Sequence, residues 1–373
     1  MKYIPNLNDP RVLNRMRHAY GFTKAVMSVD KPSTWASRTI DKYYGQQQHP
    51  LSKYLRNTLL ICTNHNYSKD NGTPKEYKIN PIGLDYIRNI LLGIQDTHTP
   101  HLTPSVSQVT NIDDNVVHLF DKQVVTEYCL REYGNQLQSL EFTYDDKSHR
   151  LWNPIQNIKK LYKKDILADA GLIYHYDIDT CAPRLIYQYS VRCGNDLYMP
   201  NIQKYIDDKI EVRNRLSTEL ETPVHIIKVI INALFCGARI GNSPEFAISQ
   251  LLGNDKAKVL FLKEDDYIKN LRQEIKTCWQ YIEPYTPIRY KNNKKLPMTS
   301  KQKWIVYFQL ERLVLDSITK YLKQTNNKYF LEHDGFVTTN LLDISDLIKH
   351  IDMDIGYDIN FQLEVHANNT HHI

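Results

Sequence analysis

No C-x-x-C pair occurs in this sequence. Its six cysteines, Cys62, Cys129, Cys181, Cys193, Cys236 and Cys278, are scattered, so neither a disulfide framework nor a thiolate zinc site is signalled, and reduced thiols are expected. Long apolar runs are missing too: nothing is long enough to span a bilayer, and Met1-Lys2-Tyr3-Ile4-Pro5-Asn6 lacks the apolar core of a secretion signal. A soluble, cytoplasmic protein with no membrane partner is the expectation. Neither sign of charge dominates, since the net charge is +5 and the pI near 8.6; a polyanionic partner is permitted but not demanded. No internal repeat is present. Glycine is sparse, 13 residues against 26 tyrosines, but tyrosine serves cores and interfaces as often as base stacking, so the excess decides nothing alone. An apolar fraction of 42% over 373 residues fits a folded chain with room for two or three subdomains.

What is present changes character along the chain. Residues 10–62 carry apolar side chains at helical spacing, through Val12, Met16, Tyr20, Tyr54, Leu55 and Leu59. Residues 64–82 and 97–106 are polar and rich in turn formers and read as surface loops, after which Val116–Leu140 returns to helix. Gly171-Leu172-Ile173-Tyr174-His175-Tyr176 is a short apolar and aromatic run ending in Asp177, as a buried strand would. Asn201–Leu220 reads as one amphipathic helix. Thr222-Pro223 predicts a helix start with Thr222 as its cap, and that helix runs through Lys228 to about Cys236 before Gly237. Residues 255–283 and 301–324 read as helices separated by a basic loop. Lys328–Leu331 and Phe336–Thr339 read as strands around a turn at His333-Asp334-Gly335, followed by a helix at Leu342–His350 and a strand at Asn360–His366.

Three of these stretches carry chemistry. Joining nucleotides needs two metal ions to activate a 3′ hydroxyl and stabilise a departing pyrophosphate, so two carboxylates must converge on one metal pair. Asp177 and Asp334 are the candidates, with Asp179 the alternative on the first strand. A cation must also neutralise the triphosphate, and Lys228 can supply it from a helix face shared with His225 and Asn232 at i, i+3 and i+7 spacing.

Tyr176-Asp177 with Arg184 downstream resembles motif A of the family A DNA polymerases and the phage-type single-subunit RNA polymerases. Lys228 to Gly237 is similar to their motif B, and His333-Asp334-Gly335-Phe336 to motif C. The order is A, B, C. Motif B departs in two places: Val224 stands where those families carry an Arg, and Cys236 where they carry a Tyr; Arg213 or Arg215 of the preceding helix is the candidate to reach in instead. The resemblance covers about Gly171–Thr339. It implies an α+β fold with a right-hand-like palm of antiparallel sheet (166–200 and 306–373), helical fingers (201–305) and a helical N-terminal region (1–165) that braces the palm or meets a partner. It further implies two Mg²⁺ ions on Asp177 and Asp334, the triphosphate on Lys228, the RNA end against His333, and Arg184 fixing the motif A loop. Ala182 stands where the DNA enzymes carry a Glu that excludes a ribose 2′ hydroxyl, which tilts the reading to a DNA-directed RNA polymerase using nucleoside triphosphates, a DNA template and an RNA product. The Gly-Arg motif upstream of motif A in phage-type enzymes has no counterpart, so the chain looks like the large catalytic subunit of a split phage enzyme completed by a small protein subunit, working in the host cytoplasm.

Arg289, Lys291, Lys294, Lys295, Lys301 and Lys303 interleave with aromatic residues and can line a template path or form a solvated loop. Other readings stay open: a family A-like DNA polymerase or primase, a non-catalytic nucleic-acid-binding protein with a degenerate palm, a reverse-transcriptase-like turn at Tyr144-Asp145-Asp146 served by Asp113-Asp114, and metal half-sites at Cys62/His65 or His98/His101.

Overall fold

The computed structural model describes residues 3–28, 33–34, 37–64, 76–94, 113–139, 142–147, 149–287, 289–291 and 294–366. The chain is α+β with small antiparallel sheets. It divides into two compact units, one formed by Met1–Glu141 and Pro154–Ala170, the other by Phe142–Asn153 and Gly171–Ala367. Among the described residues no helix is long and apolar enough to cross a membrane.

The first unit is helical around a small sheet. Helix α1 (Pro10–Val26) starts where the Asp9 carboxylate accepts from the Arg11 amide, with proline at the position whose missing N–H costs nothing. Strand β1 (Ser33–Thr34), helices α2 (Ser37–Tyr44) and α3 (Pro50–Leu59), strands β2 (Leu60–Asn64) and β3 (Glu76–Ile79), and helices α4 (Pro81–Leu91), α5 (Asp114–Ser139) and α6 (Lys160–Asp169) complete it. Two expectations are corrected. The helix expected to reach residue 62 ends at Leu59, and the loop expected at 64–82 contains a strand and the first turn of a helix, because β2 and β3 pair from Leu60↔Ile79 onward. Residues 65–75 and 95–112, with His65, His98 and His101, lie outside the described residues. Asp114 opens α5, so Asp113-Asp114 does not lie on the strand a reverse-transcriptase-like site requires.

The second unit begins with a hairpin, β4 (Thr143–Tyr144) and β5 (Leu151–Trp152). Strand β6 (Tyr174–Ile178) is followed by helices α7 (Cys181–Arg192), α8 (Pro200–Asp207), α9 (Lys209–Glu219), α10 (Val224–Phe235), α11 (Ala247–Leu251), α12 (Lys256–Glu264) and α13 (Asp266–Ile282). The hairpin β7 (Arg289–Lys291) and β8 (Lys294–Leu296), helix α14 (Ser300–Gln324), strands β9 (Tyr329–Leu331) and β10 (Gly335–Thr338), helix α15 (Ile344–Ile355) and strand β11 (Phe361–Val365) follow. The single helix expected over Asn201–Leu220 is two, because the Asp208 carboxylate caps α9 by accepting from Glu211 N; Asp265 divides 255–283 in the same way. Helix α10 begins at Val224, and the Thr222 hydroxyl donates to Leu220 O instead of capping it. In place of the expected basic loop, Arg289–Lys291 and Lys294–Leu296 pair as antiparallel strands.

One antiparallel sheet, in the order β11-β6-β10-β9, organises this unit. Period-two alternation turns Tyr176 and Ile178 into the core, where Tyr176 stacks on Phe336 at 5.0 Å and its hydroxyl accepts from Leu342 N. Helix α10 buries Ile227, Ile230, Ile231, Leu234 and Phe235 in the same core, each worth about 1.5–3 kcal/mol of apolar burial. Its opposite face keeps His225 and Lys228 exposed.

Candidate active site

Across the sheet, Gly335 stands opposite Asp177 on one side and Glu332 on the other, since Phe336 pairs with both Tyr176 and Leu331 and the Glu332 amide donates to Gly335 O at 2.8 Å. Glu332 and Asp177 therefore flank a position with no side chain. A Cβ on Gly335 would collide with the Tyr176 carbonyl oxygen and lie 3.0 Å from Asp177 Oδ1, so the close approach needs glycine. The adjoining turn carries His333 and Asp334, and the Ile178 amide donates to Asp334 O at 2.7 Å. Strand pairing thus draws Asp177 and Asp334 to one end of the sheet.

The electrostatics bind these residues into one site. Burial raises the Asp334 pKa, the Asp177 charge raises it further, and Lys228 opposes both. Beneath lies Glu311 of α14, 2% exposed; burial and then the Asp334 charge push its carboxyl up to about 8, against the Tyr307 hydroxyl and Arg150, which act to keep it ionised. Lys209 of α9 forms an ion pair with Asp179. Burial, Arg213 and Lys228 bring its ammonium down to about 8, while Asp177 acts the other way. Of Asp177 on β6 and Asp179 just beyond its end, Asp179 is engaged with Lys209, and Asp177 has its side chain 46% exposed.

His175, two residues before Asp177 on the same face, sits with Nε2 2.8 Å from Glu332 Oε2 and 3.2 Å from Asp177 Oδ1. Burial disfavours its charge, but the two carboxylates outweigh burial and hold the imidazolium up to about 9. One donor atom from each of His175, Asp177 and Glu332 lies within 4.8 Å of the others.

The remaining expected residues fall in several places. Arg184 is buried on α7 and pairs with Asp358 at 3.2 Å, which ties that helix to the segment leading into β11. Ala182 is 4% exposed within the core cluster. His225, Lys228 and Asn232 share the outer face of α10, and Gly237 ends that helix at φ +84°. Arg215 is held by Asp265 and Glu219. Arg213 donates to the Tyr205 hydroxyl, and its charge reaches Lys209.

Lys303, beside Gly237, lies over the Trp279 ring at 5.2 Å. With Lys269, Arg272 and Lys276 of α13, it lines a cleft of about 430 Å³. Arg289, Lys291, Lys294 and Lys295 fall on the β7–β8 hairpin, and Lys301 is exposed on the first turn of α14. Asp145-Asp146 occupies the turn of the β4–β5 hairpin, with the Asp145 carboxylate accepting from Lys147 N.

No family model matches the chain, and no curated protein matches it in sequence. The sequence reading missed His175, Glu332, Lys209 and Glu311. Period-two spacing back from Asp177 and from Asp334 picks out the first two; nothing local marks Lys209 or Glu311, which reach the site through helix packing.

Proposed function

We propose that the second unit is a nucleotidyltransferase palm with its fingers, and that the chain is the catalytic subunit of a DNA-directed RNA polymerase. The observation that carries this reading is the meeting of Asp177, Asp334 and Lys228: strand pairing sets the turn that carries Asp334 against Asp177, and the Asp177 charge and the Lys228 ammonium both act on the Asp334 carboxyl. The residues fit divalent magnesium. Carboxylate oxygens are the hard donors that ion takes, and burial first, then the Asp177 charge, raise the Asp334 pKa, so a cation there would favour its ionised form. When bound, two such ions would activate the 3′ hydroxyl and stabilise the leaving pyrophosphate.

The protein's own groups do the rest. Asp177 and Asp334 would hold the ions, and Gly335 leaves the space between Asp177 and Glu332 clear. Lys228 binds the triphosphate, with Lys209 and Arg213 adding positive charge in place of the arginine missing at Val224. His333 sits beside Asp334 in the turn, where this reading gives it the RNA end. The cations of the Lys303 cleft supply phosphate contacts for the template. The choice of ribonucleotides rests on the resemblance at Ala182, and the small partner subunit on the missing upstream motif.

The test is incorporation of labelled ribonucleotides and deoxyribonucleotides on single-stranded DNA with magnesium. Wild-type activity with ribonucleotides that vanishes in Asp334→Asn, with DNA binding retained, supports the proposal; activity undiminished in Asp334→Asn overturns it. A wide preference for deoxyribonucleotides leaves a DNA polymerase. Binding without incorporation points to a non-catalytic nucleic-acid-binding protein, a reading that the core burial of Cys236 at the motif B tyrosine position favours.

A further inference from the structure

The sheet face that carries Asp177 bears a second set of donors farther along the strands. Glu364 of β11 stands directly opposite His175, and the backbone amide of His366, two residues on, donates to Ile173 O at 2.8 Å. Period-two alternation then puts His175, Glu364 and His366 on the same face. His175 Nδ1 is 3.8 Å from Glu364 Oε2, and the two imidazole rings are 5.3 Å apart at 46°. One donor atom from each of the three lies within 4.8 Å of the others. A tetrahedral ion bound at about 2.0–2.2 Å spaces its donors by about 3.4 Å, so small side-chain rotations close the set.

We propose that His175, Glu364 and His366 form a site for a borderline divalent cation of the zinc class, separate from the Asp177–Asp334 pair. Two imidazoles and one carboxylate suit zinc, cobalt or manganese better than magnesium, which prefers an all-oxygen shell. The far nitrogen of His175 supports this. Nε2 meets Glu332 and Asp177, and a metal-bound histidine commonly has its other nitrogen against a carboxylate that fixes the ring. Access is also provided: His175 and His366 are buried, whereas the Glu364 side chain is 46% exposed and opens the site from the strand edge. The inference does not depend on polymerase activity, because it concerns donors on a sheet face whatever the reaction at its end.

Chelator-treated full-length protein titrated with Co²⁺ tests it. A single visible absorption band of a tetrahedral cobalt–histidine site is expected, lost on addition of Zn²⁺ and unaffected by millimolar Mg²⁺. Glu364→Gln, a substitution at an exposed position, and His366→Ala should each weaken binding at least ~10-fold. Asp334→Asn should leave the band unchanged. His371 and His372 near the C-terminus supply an internal control: the paired substitution H371A/H372A should retain the band. Absence of the band, its persistence at full affinity in both Glu364→Gln and His366→Ala, or its loss in H371A/H372A overturns the proposal. The readout is spectroscopic, so a failure of nucleotide incorporation leaves this test intact.

Discussion

Gly335 faces Asp177 across a pair of antiparallel strands with no room for even a methyl group between them. The nearest obstacle is the Tyr176 backbone carbonyl, which cannot swing aside as a flexible side chain would. Gly335→Ala should therefore push β10 away from β6, at a cost of about 1–3 kcal/mol as for other overpacked positions. Urea unfolding measures the loss. Nucleotide incorporation should fall much further than the folded fraction, because the displacement separates Asp177 from Asp334.

Asp334 holds a carboxylate among burial and like charge, so its presence is a burden on the fold. In metal-free buffer near pH 8, Asp334→Asn should raise stability by about 1 kcal/mol while removing incorporation, the trade expected where function opposes stability. Thermal unfolding of the two proteins side by side decides it; a destabilised Asp334→Asn would contradict the crowded-carboxylate picture.

Lys228 lowers the Asp334 pKa from its side of the site. Without that ammonium the Asp334 carboxyl should titrate still higher. Lys228→Ala is thus expected to move the acidic limb of the pH–rate profile upward and to raise KM for nucleoside triphosphates about tenfold or more, equivalent to about 1.4 kcal/mol of lost binding. Steady-state kinetics across pH 6 to 9 reads both effects, and an unmoved acidic limb would argue against a direct Lys228–Asp334 interaction.

Glu311 carries a pH signature of its own. Burial and the Asp334 charge push its carboxyl up to about 8 in the folded protein, against 4.5 as a free side chain. Between those values the unfolded chain binds fewer protons at this position than the native one, so the Glu311 contribution to stability is full below about pH 4.5 and is lost as pH rises toward 8. Glu311→Gln removes the titration. Denaturant unfolding should show the variant gaining on the wild type as pH climbs from 5 to 8, by an amount on the order of a few kcal/mol.

The basic cleft offers a test that needs no catalysis. Arg272→Ala combined with Lys276→Ala should weaken binding of single-stranded DNA and reduce the slope of log K against log salt by about 1 for each phosphate no longer neutralised. Filter binding over a salt series measures it; an unchanged slope would place the DNA elsewhere.

Local rules were enough to find the pieces. An aromatic run closing on Asp177, an Asp-Gly turn at 334–335 and a one-sided apolar helix around Lys228 each follow from side-chain periodicity and turn chemistry within a dozen or so residues. The same rules stop at element ends: Asp208 and Asp265 divide helices that their apolar spacing alone runs together, and β3 emerges from a segment too polar to read as a strand without its partner. What tertiary structure decided is who meets whom. Register sets Gly335 against Asp177 and Glu364 against His175, and helix packing carries Glu311 and Lys209 to the carboxylates from distant stretches of chain. Those meetings depend on backbone pairing and core packing between residues far apart in sequence, and no local pattern encodes them.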